Sequence, residues 1–569
     1  MSIFDYNLEE LLGTVESVDT SVIIVRVEND ECIREVQVNH LVAVQSTKTN
    51  QRLIGLVSKI VRKSALTDID MPIDAYQSFN ILRIVLIGTH YDKVANESNV
   101  FRRTLSTVPA VNAECYLING DRLKAFMQSI SSIRDTADDG ATSLEIGHYS
   151  IDEDAKAWLN GNKLFQRHAV IVGSTGSGKS WCVARILEQV ASLKSADAVL
   201  FDIHSEYEPL KGDNFAHFKV AGPTDVQGEG ILFLPYWLLT YEEMISLMLD
   251  RSDSNAPNQA MIFSNAVQEG KQLFLNNNGR KDLSSSITLD SPVPYDLNRL
   301  LDELKKTDTE MVPGKNTEKQ GPYFGKLTRF IQRLQVKQND KRLNFMFSQD
   351  NSLLSCDYML NLCRKIMEPA KNGFGGVKII DFSEVPSDIL PLMVSLLARL
   401  MFSVQQWSDP EKRHPIAIFC DEAHLYIPAN TSKSIDYASL ENFERISKEG
   451  RKYGIGLVVI SQRPSEVNRT VLSQSNNFIA MRLTNADDQA VVKRLLPDSL
   501  GDYSEMLPIL DVGEALIVGD ASLLPSRIKI ARPNLEPRSA TVDFWDVWAR
   551  GSADVDLESA IEALRKQMK

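Results

Sequence analysis

The run GSTGSGKS at residues 173–180 has the residue types and spacing of a phosphate-binding loop, G-x-x-x-x-G-K-[ST]. The apolar run HAVIV precedes it and the helical run WCVARILEQVASL follows, which is the strand–loop–helix context that this motif requires. We expect Lys179 to bridge the β- and γ-phosphates of ATP and the Ser180 hydroxyl to bind Mg²⁺. The alternative interpretation is a simple Gly/Ser turn. The expected phosphate-binding residues are Gly173, Ser174, Thr175, Gly176, Ser177, Gly178, Lys179 and Ser180.

A second run with matching chemistry is PIAIFCDEAHLYIP, in which apolar residues lead to the adjacent carboxylates Asp421 and Glu422. Ligands of open α/β sheets bind at the carboxyl ends of the strands, where this pair is expected. Asp421 is suited to hold the Mg²⁺ shell, and Glu422 to polarise a water for in-line attack on the γ-phosphate. Such a pair alone usually marks a solvated helix start. Its combination with the phosphate loop favours the catalytic interpretation.

After residue 167 the sequence predicts buried apolar strands that alternate with helices, as parallel sheets require. These elements are expected to position the phosphate loop and the carboxylate pair. The expected strands are HAVIVG, DAVLFD, VKIIDF, IAIFCD, IGLVVIS, NFIAMRL and EALIVG. Between the second and third of these strands lie helical patterns such as NQAMIFSNAVQEGKQLF, with a polar loop expected near residues 276–322. The apolar stretch at residues 389–404 is interrupted by Arg399 and is interpreted as a buried helix.

The N-terminal part of the chain has a different pattern. Short β-rich runs fill residues 11–120, including SVIIVRV, REVQVNHLVAV, RLIGLVSKIV and FNILRIVLIG, and they predict a small barrel. The run DRLKAFMQSIS predicts a helix, and a polar linker follows it. After Gly519 three prolines favour an extended tail, which ends in an amphipathic helix. This tail packs either on a neighbouring subunit or across its own domain, and the sequence leaves both open.

Together these patterns predict an α/β fold: a RecA-like, mostly parallel sheet core with a helical insertion, preceded by a small N-terminal β-barrel. At 569 residues the chain exceeds what one hydrophobic core supports, so several segments are expected. The expected division is the barrel and linker at 1–145, the first part of the core at 146–234, the helical insertion at 235–370, the second part of the core at 371–524, and the C-terminal strap and helix at 525–569.

The composition narrows the class of protein. Apolar residues make up 43% and charged residues 24%, which is typical of a folded globular chain. The net charge of −13 means that any contact with nucleic acid must be local, such as a few basic side chains in a ring channel. The six cysteines lack metal-ligand spacing and fit a reducing cytoplasm. Since no signal peptide or long uncharged apolar run is visible, we expect a cytoplasmic chain without a membrane anchor.

Four motifs together carry a family resemblance: GSTGSGKS, the D-x-H-x-E-Y run, CDEAH and EGRKYGIGLVVISQRPSEV. They resemble the ATPase core of HerA-type translocases, within the HerA/FtsK superfamily of P-loop ATPases. The N-terminal barrel is similar to the small β-barrel that precedes this core. The resemblance covers most of the chain and implies a homo-oligomeric ring, a hexamer, with ATP between subunits, that drives double-stranded DNA through a central pore. Ser205 departs from the pattern, because a small residue, often glycine, is expected there.

The resemblance also implies roles for polar residues outside the two main motifs. Gln462 is expected to sense the γ-phosphate or to orient water, and Arg451 to reach a phosphate. Arg167 is similar in position to an arginine that family members offer to the neighbouring site, where it stabilises transition-state charge. Surface ion pairs for the arginines and a loop cap for the glutamine are the alternatives.

The D-x-H-x-E-Y run contributes Asp202, His204 and Glu206 beside the expected nucleotide edge. Asp202 and Glu206 are expected to tune water and metal near the site, with a weaker case for His204. A buried hydrogen-bond network needs the same residue types and remains the alternative. No basic cluster with interleaved aromatics predicts a DNA-contacting loop. Three basic residues in polar loops are interpreted as solvated surface: Lys433, Arg463 and Arg469.

Two functions from different classes fit these motifs. The first is an ATP-dependent double-stranded DNA translocase or helicase that works with a separate nuclease or NAD-consuming effector, in DNA-end processing or antiviral defence. The second is an ATPase platform that organises or gates a defence effector, with translocation secondary. An AAA-type unfoldase and a membrane DNA pump of the FtsK kind fit less well, because of the HSEY and SQRP runs and the missing membrane segments. The two main hypotheses differ in whether DNA or the partner stimulates ATP turnover.

Overall fold

The computed structural model describes most of the chain, with short gaps. The described residues are 3–27, 30–65, 77–94, 97–131, 143–313, 318–348, 350–431, 434–496, 498–522, 524–538, 544–549 and 556–566. The polar linker expected after the first long helix falls mostly outside these residues, as does Lys433.

The strands are numbered in chain order. They are β1 (Leu11–Asp19), β2 (Val22–Val27), β3 (Leu41–Gln45), β4 (Gln51–Ala65), β5 (Gln77–Val94), β6 (Glu97–Arg102), β7 (Glu114–Leu117), β8 (Ser143–Tyr149), β9 (Asp152–Asn160), β10 (Ala169–Val172), β11 (Ala198–Asp202), β12 (Phe215–Val220), β13 (Ile231–Leu232), β14 (Met311–Pro313), β15 (Glu318–Gln320), β16 (Val377–Asp381), β17 (Ile416–Cys420), β18 (Ile455–Ser461), β19 (Asn477–Met481), β20 (Glu514–Gly519) and β21 (Ser526–Ile530).

The helices are numbered in the same way. They are α1 (Asp30–Arg34), α2 (Gly120–Ser131), α3 (Gly161–Gln166), α4 (Lys179–Ala191), α5 (Tyr241–Met248), α6 (Ala256–Asn277), α7 (Lys281–Ser284), α8 (Leu297–Asp308), α9 (Thr328–Asn339), α10 (Asn344–Phe347), α11 (Tyr358–Met367), α12 (Leu390–Trp407), α13 (Ser434–Glu449), α14 (Arg469–Ser473), α15 (Ala486–Leu495), α16 (Phe544–Ala549) and α17 (Leu557–Lys566).

The chain forms two compact units. The first contains residues 1–189, 458–465 and 472–536, and the second contains residues 190–457, 466–471 and 537–569. The phosphate loop therefore belongs to the first unit, and the carboxylate pair at 421–422 belongs to the second.

The N-terminal part of the first unit is the expected barrel. Its strands follow the antiparallel order β2-β1-β7-β3-β4-β5 and close through pairing of β2 with β5, while β6 adds to β5 outside the ring. Alternating apolar residues such as Ile23, Val25 and Ile84 fill its interior. The run REVQVNHLVAV contributes only β3, because its first half lies in α1 and in a turn where Asn39 adopts a φ of 78°. That conformation ends an extended run.

The second part of the first unit is a mixed sheet. β10 lies between β18 and β19 and is parallel to both, whereas β20 is antiparallel to β19. The expectation that EALIVG is another parallel strand is therefore wrong. This run is almost fully buried, and burial rather than strand direction produces a continuous apolar sequence. β21 and the β8–β9 hairpin extend the sheet from β20 by further antiparallel pairing.

The second unit contains a five-stranded parallel sheet in the order β13-β12-β16-β11-β17. Helices α5–α11 come between β13 and β16 in the chain. One of them corrects the polar loop expected at 276–322, because α8 begins after the cap residue Asp296 and buries Leu297, Leu300, Leu301 and Leu304. Leucines at this spacing line one helical face. α12 confirms the buried helix, and Arg399 within it pairs with Glu243.

No helix among the ranges given above has the length and apolar character needed to cross a membrane.

Candidate functional site

The phosphate loop follows β10 and leads directly into α4 in the first unit. Gly176 and Gly178 adopt φ values of 73° and 99°, which glycine takes without steric cost. A Cβ on Gly178 would lie 3.1 Å from the Cα of Gly513 and 3.1 Å from the Cε of Met481. At Gly173 a Cβ would lie 2.4 Å from the Ser177 Oγ. Backbone conformation therefore favours glycine at 176, the surrounding space favours it at 173, and both favour it at 178.

Neighbouring segments of the first unit hold the backbone of this loop. The Ser174 N–H donates to the Arg482 carbonyl at 2.8 Å, and the Gly513 N–H donates to the Ser177 carbonyl at 2.9 Å. Lys179, the first residue of α4, is buried. The Ser177 Oγ is also buried, and it has no hydrogen-bond partner among the described residues. A loop of this kind at a helix N-terminus, with Lys179 buried beside it, is suited to bind an anion.

Gln462 lies at this loop. It follows β18 directly, and its Oε1 accepts a hydrogen bond from the Thr175 hydroxyl at 2.5 Å. The Ser461 carbonyl beside it accepts the Gly173 N–H at 3.4 Å. The structure therefore brings Gln462 into contact with the phosphate loop, as a role in sensing phosphate requires.

Arg167 lies at the end of α3, and its side chain is 41% exposed. Its Nε is 3.7 Å from the Asp520 Oδ2, so within this chain it forms a surface ion pair. Exposed pairs of this kind contribute little stability, on the order of 0–1 kcal/mol.

The carboxylate pair lies in the second unit, directly after the fully buried strand β17. Asp421 and Glu422 are 2% and 3% exposed. The Tyr426 hydroxyl donates to the Asp421 carbonyl at 2.7 Å, and the His424 Nδ1 is 3.3 Å from the Glu422 Oε2. Glu422 adopts the left-handed conformation with φ 44° and ψ 45°. A non-glycine residue in this region is strained, and such strain is typical of functional sites.

Asp202 lies at the carboxyl end of β11 in the second unit and organises a turn. Its Oδ1 accepts from the backbone N–H groups of His204 at 3.3 Å and Glu206 at 3.1 Å, and its Oδ2 accepts from Tyr207 at 2.9 Å. Burial raises the pKa of Asp202 to about 6, although the backbone donors of Tyr207 and Glu206 oppose this shift. The geometry supports the buried-network alternative for Asp202.

This turn also explains the departure at Ser205, which adopts a φ of 59°. Glycine takes that conformation without strain, which is the physical reason to expect glycine at this position. His204 is exposed and Glu206 is half-buried. The Glu206 carbonyl accepts the Arg538 N–H at 2.7 Å, and the Arg538 guanidinium pairs with Glu208 at 2.9 Å.

The other sequence-predicted basic residues lie on the surface. Arg451 is exposed in a short 3-10 helix, Gly450–Tyr453. Arg463 and Arg469 are also exposed.

Sequence reasoning missed two residues that shape the phosphate loop, Gly513 and Met481. Gly513 lies in the run DVGEALIVG, where a glycine before a strand indicates a turn. Nothing local connects that turn to residues more than 300 positions earlier in the chain, so only the fold shows the contact.

The strand–loop–helix geometry and the parallel sheets define a P-loop ATPase. Two family models match: "Helicase HerA, central domain" at residues 144–401 and "Helicase HerA-like C-terminal" at residues 326–569. The chain belongs to the HerA-type P-loop ATPases and is an ATP hydrolase.

Similar proteins extend this comparison. The DNA double-strand break repair helicase HerA of Saccharolobus solfataricus is 25% identical over 496 residues, covering 84% of this chain and 85% of that protein. The probable helicase MJ1565 of Methanocaldococcus jannaschii is 26% identical over 422 residues, covering 72% of this chain and 71% of the relative. Among solved structures, the conjugative coupling protein TrwB has a TM-score of 0.44 at 13% identity, covering 74% of this chain and 93% of TrwB.

Proposed function

We propose that this ATP hydrolase is a double-stranded DNA translocase or helicase that acts as a homo-oligomeric ring, most simply a hexamer. The observation that carries the proposal is the match of HerA domains across residues 144–569, with the phosphate loop and the strained carboxylate Glu422 inside it. Several similar proteins are named DNA double-strand break repair helicases, which supports DNA as the substrate.

The roles proposed for the binding residues follow from their chemistry. The phosphate-loop N–H groups and Lys179 bind the β- and γ-phosphates. Ser180 offers a hydroxyl oxygen, and Asp421 offers a carboxylate oxygen. Each is a hard donor of the kind that Mg²⁺ prefers alongside nucleotide phosphates and water. When bound, Mg²⁺ would supply positive charge against the phosphate oxygens.

The proposed catalytic groups act on the attacking water and on the γ-phosphate. Glu422 accepts a proton from the water, and its burial limits competition from bulk solvent. Gln462, held by Thr175, orients the water or contacts the γ-phosphate. Arg451 reaches a phosphate, and Arg167 acts on the site of a neighbouring subunit, which requires it to leave Asp520. Asp202 positions the turn that carries Glu206, which tunes water near the site.

The proposed partners are double-stranded DNA and a separate nuclease or NAD-consuming effector protein, in DNA-end processing or antiviral defence. A motor supplies movement along DNA, and a different active site supplies the cutting or the cofactor consumption. Because the chain has a net charge of −13, we propose that its contacts with DNA are confined to a few basic residues on each subunit.

A second candidate function is an ATPase platform that organises or gates the effector. The acidic balance of the chain favours it, as does a sequence in which no basic cluster with interleaved aromatics marks a DNA-contacting loop. In this case the partner protein, rather than DNA, controls ATP turnover.

Steady-state ATP hydrolysis by the purified chain, with and without linear double-stranded DNA, tests the proposal. We expect DNA to stimulate turnover and Lys179→Ala to abolish it, while Lys194→Ala, an exposed lysine just beyond α4, serves as the matched control. ATP turnover that is unchanged by DNA but is changed by a co-expressed partner would favour the ATPase platform. Turnover that survives Lys179→Ala would contradict the assignment of the phosphate site.

A further inference from the structure

The turn at residues 511–514 contacts the phosphate loop through backbone atoms. We call it the bracing turn. The Gly513 N–H donates to the Ser177 carbonyl at 2.9 Å. The approach is close, because a Cβ on Gly178 would lie 3.1 Å from the Gly513 Cα. The two backbones therefore meet without an intervening side chain.

This hydrogen bond fixes the orientation of one peptide group of the phosphate loop. The Ser177 carbonyl and the Gly178 N–H belong to the same planar peptide and point in opposite directions. Since Gly513 holds the carbonyl, the Gly178 N–H is directed away from the bracing turn. Backbone N–H groups of such loops are the groups that bind phosphate, so their direction sets how well the loop fits a nucleotide.

An ion pair holds the bracing turn in place. The Glu514 carboxylate accepts from the Asp511 N–H at 2.9 Å and from the Arg527 guanidinium at 2.6 Å. The Ser150 hydroxyl donates to its other oxygen at 3.3 Å. The Glu514 side chain is 10% exposed, and that of Arg527 is 31% exposed.

Gly513 adopts a φ of 77°, which glycine takes without strain. Two further contacts hold the turn from β21: the Ile530 N–H donates to the Gly513 carbonyl at 2.8 Å, and the Lys529 Nζ donates to the Val512 carbonyl at 2.7 Å. The Glu514–Arg527 ion pair joins two side chains, so a side-chain substitution removes it without touching the backbone.

We propose that Glu514 and Arg527 are positioning residues for ATP binding. Their ion pair holds the bracing turn. The bracing turn then orients the peptide group between Ser177 and Gly178. Neither side chain contacts the nucleotide in this arrangement. The inference rests on the proposed role of the phosphate loop in binding ATP.

The test compares Arg527→Met with Arg122→Met in the full chain. Arg122 is the matched control, because it pairs with Glu10 at 2.7 Å and is 28% exposed, but it lies in the barrel part of the first unit. Loss of one well-formed hydrogen bond corresponds to roughly a three- to tenfold change in binding. We expect Arg527→Met to raise the KM for ATP by about that factor with kcat changed less than about twofold, because ground-state and transition-state binding are weakened alike.

Two conservative variants guard against simple misfolding. Glu514→Gln keeps an acceptor for the Asp511 N–H but loses the ion pair, and Arg527→Lys keeps the charge. We expect both to raise the KM less than Arg527→Met does. Equal KM values in Arg527→Met and Arg122→Met would overturn the proposal.

A measurement without nucleotide separates this proposal from the assignment of the ATP site. We expect amide hydrogen exchange in the peptide covering residues 173–180 to be faster in Arg527→Met than in the wild type or in Arg122→Met. Unchanged exchange would overturn the bracing role. If Lys179→Ala retained ATP binding while exchange still rose in Arg527→Met, the site assignment would fail and the bracing role would stand.

Discussion

At the scale of single residues, Glu422 combines three properties that seldom occur together. It is buried, it carries a carboxylate, and it adopts a left-handed backbone conformation directly after a parallel strand. A short polar residue or glycine would form the same turn with less strain, so a requirement for this side chain explains why glutamate stands there. That argument supports its proposed role as the group that polarises water.

Glu422→Gln tests that role with a nearly isosteric change. We expect ATP binding to persist within about threefold, because the phosphate loop is untouched, and kcat to fall by roughly 10²–10⁴-fold, the usual contribution of a general base. Radiolabelled ATP binding and single-turnover hydrolysis measure the two effects separately. Glu411→Gln, an exposed carboxylate in the same unit, is the control. Hydrolysis within tenfold of wild type would exclude Glu422 as the base.

The buried His90 in the barrel leads us to expect that the stability of the chain depends on pH. It lies on β5 among Phe4 and Phe126 with ring centroids 4.7 Å and 6.0 Å away, and burial lowers its pKa to about 4 from the ordinary 6.5. The folded chain therefore binds fewer protons than the unfolded chain between these values. The contribution of the neutral His90 ring to the free energy of unfolding is therefore complete above pH 6.5 and is lost as the pH falls toward 4.

The expected loss is about 3.5 kcal/mol across the whole window, at about 1.4 kcal/mol for each pH unit, and roughly 2.5 kcal/mol of it falls above pH 4.5. Urea unfolding of the full chain at pH 7 and pH 4.5 measures it. We expect the loss of stability between pH 7 and pH 4.5 to be smaller by roughly 2.5 kcal/mol in His90→Phe than in the wild type. The same pH dependence in the wild type and in His90→Phe would contradict a buried neutral imidazole.

At the scale of elements, Arg399 connects helices that are far apart in the chain. From α12 its guanidinium donates to both carboxylate oxygens of Glu243 in α5 at 2.8 Å, and to the Leu238 carbonyl at 2.8 Å. Asn442 of α13 donates to the same carboxylate at 3.1 Å. The charge that interrupts an otherwise apolar helix is therefore the partner of a buried acid.

Arg399→Met leaves Glu243, only 3% exposed, without its cation. We expect a loss of about 3–5 kcal/mol in the free energy of unfolding, the usual cost of breaking a buried pair. Urea unfolding measures this loss, and the double variant with Glu243→Leu is expected to recover part of it. A loss below about 1 kcal/mol would show that water or another group neutralises Glu243.

Some elements of the fold could be predicted from the local sequence, and others could not. The phosphate loop and β17 were predictable because a short run of residues determines each, and the barrel was predictable from alternating apolar residues. The direction of β20 depends on pairing with β19, which lies more than thirty residues earlier, and burial on both faces hides that direction. α8 was missed because a polar surface masked its leucine stripe, although Asp296 marks its start.

Within the candidate site the same distinction applies. Lys179 and Ser180 follow from spacing alone, whereas the contact of Gln462 with Thr175 joins residues 287 positions apart. The resemblance to HerA-type proteins directed attention to Gln462, and the geometry supplied its partner. Gly513 had neither a motif nor a resemblance to mark it, so only the folded chain shows its role beside Ser177. The proposed roles of Arg451 and Arg167 and the expected five-segment division remain predictions.

At the scale of the whole molecule, the charge balance limits how the proposed DNA substrate would be bound. An excess of 13 negative charges repels the phosphate backbone, so binding must come from a few local basic groups. We expect stimulation of ATP turnover by DNA to weaken steeply as salt rises from about 50 to 200 mM, because counterion release drives such contacts. Titrating DNA at several salt concentrations measures the slope. Stimulation that is insensitive to salt would contradict binding through phosphate contacts.

Under the proposed function, ATP hydrolysis moves this chain along double-stranded DNA. Displacement of a triplex-forming strand from linear duplex DNA tests it most directly, with the assembled wild-type chain and the Glu422→Gln variant in parallel. We expect ATP-dependent displacement by the wild type and none by the variant, although the variant still binds ATP. Absence of displacement by a wild-type chain that hydrolyses ATP would contradict the motor and leave the partner-gated platform as the function.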